Sequence, residues 1–67
     1  MNHNALVFPD GRTYVWGRND HGQLGLGHRN NVLRPTLLDD FSFKKVICGT
    51  NYSIGLTFDN QVYAWGR

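Results

Sequence analysis

A chain of 67 residues with a net charge of +2 allows one small domain at most, and a domain near this size buries only about 60% of the surface it exposes when unfolded, so its core is marginal. The single cysteine, Cys48, excludes an internal disulfide framework, and no apolar run is long enough for a membrane-spanning helix. The basic residues Arg12, Arg18, Arg29, Arg34, Lys44, Lys45 and Arg67 are scattered, which argues against a nucleic-acid footprint, since that needs a clustered patch.

Asn4 to Phe8 reads as a strand, and Phe8-Pro9-Asp10-Gly11 turns the chain. Asp-Gly predicts a two-residue type I′ hairpin turn, which needs positive φ at both central positions. Arg12 to Trp16 is the return strand, with Tyr14 and Trp16 on one face and Thr13 and Val15 on the other. Neither face is strongly polar, as expected of a strand covered on both sides. Gly17 to Asn31 is a loop by composition, with Gly17, Gly22, Gly25 and Gly27 among Asn and Asp residues. Leu24 and Leu26 are its only apolar side chains and are expected to pin it down. At this length it is either functional or an ordered cover.

Val32 to Leu38 is a strand interrupted by Pro35, which places it at a sheet edge. Asp39-Asp40 form a turn, Phe41 and Phe43 anchor the following link, and Lys45 to Cys48 is a short strand. After the Gly49-Thr50-Asn51 turn, Tyr52 to Phe58, Asp59-Asn60 and Val62 to Trp65 repeat the opening hairpin. No segment has a helical period.

Trp16 and Trp65 lie 49 positions apart. At that offset Asp10 meets Asp59, Tyr14 meets Tyr63, Gly17 meets Gly66, Arg18 meets Arg67 and Asn2 meets Asn51. A period near 50 residues with about four short strands per unit is the pattern of a propeller blade. The fold class expected is all-β: antiparallel blades of an incomplete β-propeller, about one and a third repeats. Residues 1–18 form a partial copy and residues 19–67 one full 49-residue repeat. One blade then lacks its inner strand and the other its outer strand, and further blades are needed to complete the propeller.

Trp16-Gly17-Arg18-Asn19-Asp20-His21-Gly22-Gln23-Leu24-Gly25-Leu26-Gly27 resembles the repeat of the regulator of chromosome condensation family, and Cys48-Gly49-Thr50-Asn51-Tyr52-Ser53-Ile54-Gly55-Leu56-Thr57 is similar to its second motif. Asp10, Gly11, Pro35, Asp59, Trp65 and Gly66 also fit. Tyr52 stands where that family usually has His, which His3 keeps in the first copy, and Gly55 replaces the usual Ala. The resemblance implies a seven-bladed β-propeller that acts as a protein-interaction module. Its alternative implication is a fragment of a guanine-nucleotide exchange factor for a small GTPase. The family's exchange surface lies in turns that match Asn51 and Asn2. Asn2, His3, Asn51 and Tyr52 are therefore the candidate partner-binding residues, and the partner expected is a protein.

Other constellations read as structure. Gly22, Gly25 and Gly27 spell the dinucleotide fingerprint in reverse with no helix following, so they serve tight turns. His3, His21 and His28 have no zinc-ligand spacing. His21 and His28 read as solvated, and His3 as a turn residue bonded to backbone. Ser53, Thr57 and Thr13 have no adjacent His–Asp pair, and Asp39-Asp40 are turn formers. Asn51-Tyr52-Ser53 matches a glycosylation sequon that is expected to be idle at a tight turn. Trp16 and Trp65 read as inter-blade core rather than platforms for bases, and Cys48 as a small buried apolar residue. No catalytic residue, metal or cofactor is expected. The early apolar run Ala5–Phe8 is too short for a signal peptide, so the expected setting is intracellular, cytoplasmic or nuclear.

Overall fold

The structure, a computed structural model, describes residues 2–67. Six strands and no helix are present among them: β1 (His3–Val7), β2 (Thr13–Gly17), β3 (Val32–Leu37), β4 (Phe43–Cys48), β5 (Tyr52–Thr57) and β6 (Val62–Gly66). They form two three-stranded antiparallel sheets, β1-β2-β3 and β4-β5-β6. The Pro35 strand lies at a sheet edge, as its missing N–H requires. The sequence repeat is split between the sheets, since β3 pairs back onto β2 while β4 opens the second sheet. β4 starts two residues earlier than the β-branched run suggests, because Phe43 pairs with Thr57 across a register shift.

Both hairpin turns depart from type I′. Gly11 N–H donates to the Phe8 carbonyl at 2.9 Å, and Phe8 N–H to the Arg12 carbonyl at 2.8 Å. Gly11 alone has positive φ, at +95°. The geometry is a type I turn followed by one left-handed residue, closing a three-residue loop. Pro9, whose ring fixes φ near −65°, suits the first central position of a type I turn, but the geometry does not depend on it, since Phe58 holds that position in the second hairpin. The second hairpin follows the same plan, with Asn60 at φ +67° in the left-handed position.

The two sheets stack with unlike faces in contact. His3, Ala5 and Val7 pair with Gly17, Val15 and Thr13, so these six share one face of the first sheet. Val46, Ser53, Gly55, Tyr63 and Trp65 share one face of the second. Between them lies a core of Val15, Leu24, Leu38 and Phe43, with Ala5, Val46 and Trp65 packed against it. Phe43 is fully buried and stacks on Trp65, with centroids 5.4 Å apart, and on Phe41 at 5.3 Å. Its ring occupies the place where a Cβ on Gly55 would sit, 2.4 Å from Cε1. The small residue at position 55 thus makes room for a large one at position 43. The small-residue side of one hairpin therefore receives the aromatic side of its repeat.

Candidate partner-binding end of the sheets

Antiparallel pairing brings four separate segments to one end of the strands. His3 pairs with Gly17, Cys48 with Ser53, and Tyr52 with Gly66. Asn2, the loop after β2, the Gly49–Asn51 turn and Arg67 therefore gather there. Arg18 N–H donates to the Asn2 carbonyl at 3.1 Å, and Arg67 N–H to the Asn51 carbonyl at 2.9 Å. The 49-residue repeat is visible in these paired bonds. Arg18, Arg29 and Arg67 lie at this end with one acid, Asp20, whereas Asp10, Asp39, Asp40 and Asp59 lie in the turns of the opposite end.

The long loop is built around Asn19, which is fully buried. Its amide donates to the carbonyls of His28 at 2.9 Å and Asn30 at 3.0 Å. Its Oδ1 accepts from Leu24 N–H at 3.0 Å, and its own N–H donates to Asn31 Oδ1 at 2.9 Å. One side chain thus closes both ends of the loop. Gln23 is equally buried and accepts from His21 N–H at 2.8 Å. His28 is exposed, as expected, yet its Nδ1 accepts from Asn30 N–H at 3.0 Å. His21 is partly covered, 3.9 Å from Asp20.

This loop reaches over the second sheet. Ser53 Oγ–H donates to the Gln23 carbonyl at 2.6 Å. His3 Nε2 lies 3.0 Å from both the Tyr52 carbonyl and Ser53 Oγ. Because a carbonyl only accepts, His3 carries its proton on Nε2 and donates to both. His3 sits inside β1 rather than in a turn, 6% exposed, and its bond to the backbone crosses between sheets. It fixes the position of Tyr52 and is not itself a free surface group. Gly25 rests on the Trp65 indole, where an added Cβ would fall 2.8 Å from Nε1.

Asn2 and Thr50 are exposed, and Tyr52 is 42% exposed with its ring laid over Gly49. An open groove of about 440 Å³ runs between Asn2, His3, Asn4, Cys48, Gly49 and Thr50. Cys48 is exposed rather than buried, because it ends an edge strand beside this groove. Desolvation pushes its thiol up, away from a reactive thiolate. Arg18 grips Asp20 through two bonds of 2.9 and 2.8 Å and, by that side-chain hydrogen bonding first, holds its carboxyl down at about 2. Asn51 Oδ1 is buried without a hydrogen-bond partner among the described residues. No group of three or more metal-ligating side chains occurs among those residues. What the end offers is a shallow groove lined by amides and a hydroxyl, with guanidinium groups elsewhere on the same end.

Sequence reasoning placed Asn2, His3, Asn51 and Tyr52 in equivalent turns, and the structure gathers them at one end. It missed Asn19 and the Gln23–Ser53 contact. Both lie inside the motifs read as structural, and that is the only signal that marked them.

Two stacked antiparallel sheets, each one strand short of the usual four, are neighbouring blades of an incomplete β-propeller. The chain belongs to the regulator of chromosome condensation (RCC1) repeat family, whose profile matches residues 10–56. It is 41% identical over 64 residues to the human E3 ubiquitin-protein ligase HERC2, covering 91% of this chain and 1% of that protein. It is 36% identical over 68 residues to mouse Protein RCC2, covering 97% of this chain and 13% of the relative. The crystal structure of human WBSCR16 superposes on the whole chain with a TM-score of 0.88 and 25% identity, over 18% of that protein. The chain thus spans a small part of each of these three proteins.

Proposed function

We propose that this chain is a protein-binding segment of a β-propeller, and that the end carrying Asn2, Gly49 to Tyr52 and the Gly17 to Asn31 loop meets the partner. Residues 1–18 serve as the close of one repeat and residues 19–67 as the next. The observation that carries the reading is the convergence of these turns on one end, held by His3, Asn19 and Ser53. A built surface of exposed amides, hydroxyls and guanidinium groups suits protein recognition, where arginine is enriched. The arginines at this end favour an acidic partner surface, since complementary charge speeds encounter. The ligase among the relatives is matched over 1% of its length, so ligase chemistry forms no part of the proposal.

The test is site-specific photocrosslinking in cells, with the crosslinker at Thr50 on this end or at Asp59 on the opposite one. Partners captured from Thr50 and absent from Asp59 support the reading. Equal capture from both contradicts it. A small GTPase is the specific partner class to try. Nucleotide release from a panel of such GTPases, with and without the chain, separates exchange from binding alone.

A further inference from the structure

The tip of the long loop, His28-Arg29-Asn30, is pinned on both sides of one residue. Asn19 Nδ2 donates to the carbonyls of His28 at 2.9 Å and Asn30 at 3.0 Å, and Asn30 N–H donates to His28 Nδ1 at 3.0 Å. Asn31 is tied in as well, its Oδ1 accepting from Asn19 N–H at 2.9 Å. Arg29 stands exposed between these fixed points, and no carboxylate lies within ion-pair distance of it among the described residues. Arg18, at the same end, is in the opposite state: its guanidinium bonds both go to Asp20, so its charge is already matched. Each bond that shapes the tip lies within residues 19–31, so its geometry owes nothing to either outer sheet face.

We infer, resting on the reading that this end meets the partner, that Arg29 is the anchor by which it takes an acidic segment of a protein, the guanidinium forking onto one side-chain carboxylate. The planar fork of arginine matches a carboxylate with two parallel bonds, and arginine is among the residues that dominate interface energetics. Binding ordinarily costs the ordering of loop and side chain alike. Here the backbone on both sides of Arg29 is already fixed, so only the rotamers of its side chain are lost. Arg18 would have to leave Asp20 to play the same part, giving up two bonds to make two. Arg29 has no carboxylate of its own to leave.

Titration of the isotopically labelled 67-residue chain with hexaglutamate blocked at both termini tests this, read from backbone amide and arginine Nε–H signals. The Arg29 Nε–H and the His28 to Asn30 amides should move most, and the Arg18 Nε–H, bonded to Asp20, should move least. Arg29→Gln should weaken binding about fivefold, the loss that one well-placed exposed ion pair accounts for. Lys44→Gln removes the same charge near the opposite end, where screening hides it from the tip, and should weaken binding less than about twofold. Arg29→Lys should recover only part of the loss, because it keeps the charge without the fork. Both positions are exposed, and circular dichroism checks that each variant keeps its sheets. Equal losses from Arg29→Gln and Lys44→Gln, full recovery with Arg29→Lys, or no shifts at all would overturn the anchor. Shifts centred on Arg18 or Arg67 would overturn it too, while leaving this end as the partner surface. Shifts confined to the opposite end would overturn both.

Discussion

Gly55→Ala probes the seam at its tightest point. The backbone at Gly55 is not left-handed, so alanine is conformationally allowed there, and removing a glycine from the unfolded chain should stabilise by about 0.4–1 kcal/mol. Packing opposes this. The new methyl would lie 2.4 Å from Phe43 Cε1, 2.7 Å from Cδ1 and 2.8 Å from Cζ. The ring has little room to yield, being fully buried and stacked between Phe41 and Trp65. Overpacking of this kind costs about 1–3 kcal/mol, and a boxed ring belongs in the upper part of that range. The expected net loss is about 1–2 kcal/mol after the backbone gain is subtracted. In a domain this small that lowers Tm by about 4–8 °C per kcal/mol. Urea unfolding followed by circular dichroism measures it. Phe43→Leu alone should also destabilise, by leaving a void. Combined with Gly55→Ala it should recover part of both losses, with a coupling of roughly 0.5–3 kcal/mol. A stabilising Gly55→Ala, or strict additivity in the double variant, would refute the packing argument.

Three further outcomes follow from the loop and its contacts. Asn19→Ala leaves the buried Leu24 N–H without its acceptor, at a cost of about 1–3 kcal/mol, and frees the His28 and Asn30 carbonyls, so amide exchange at Leu24 should accelerate well beyond that of the β5 core. Gly25→Ala meets both a left-handed backbone at φ +74° and the Trp65 indole, so the tryptophan emission should shift to the red and stability should fall. The Asp20 carboxyl should titrate near 2 in a carbon-detected NMR series, and Arg18→Ala should move it up toward 3.8. Since the folded value is depressed, the pair's contribution is present above the unfolded value and is lost as pH falls through the folded one.

The hairpins were legible because period-two alternation and turn residues are local signals, and the 49-residue recurrence of Trp-Gly made the all-β, bladed class readable. The turn type was not legible because Asp-Gly and Asp-Asn do not by themselves set the loop length: in both hairpins a type I turn followed by one left-handed residue, Gly11 or Asn60, closes a three-residue loop. Phe43 was read only as an anchor of the link, since its partner is Thr57 and a register shift hides the strand start. Cys48 looked buried because its neighbours are apolar, whereas exposure depends on which strand ends at a sheet edge. The site's framework was the least legible part. Ser53 binds a carbonyl 30 residues away, and His3 binds one 49 residues away. Such pairs exist only once the sheets have stacked, and no local pattern encodes them.

The most direct measurement is a set of nuclear Overhauser contacts from the two indole rings in dilute, isotopically labelled chain. The Trp65 ring should show cross-peaks to Gly25 Hα and to the Phe43 ring, and the Phe43 ring to the Val15 and Leu24 methyls. Trp16 should show none to β5 or β6. Cross-peaks from Trp16 to the second sheet within one molecule, or a Trp65 ring with contacts only inside its own sheet, would contradict the stacking of unlike faces.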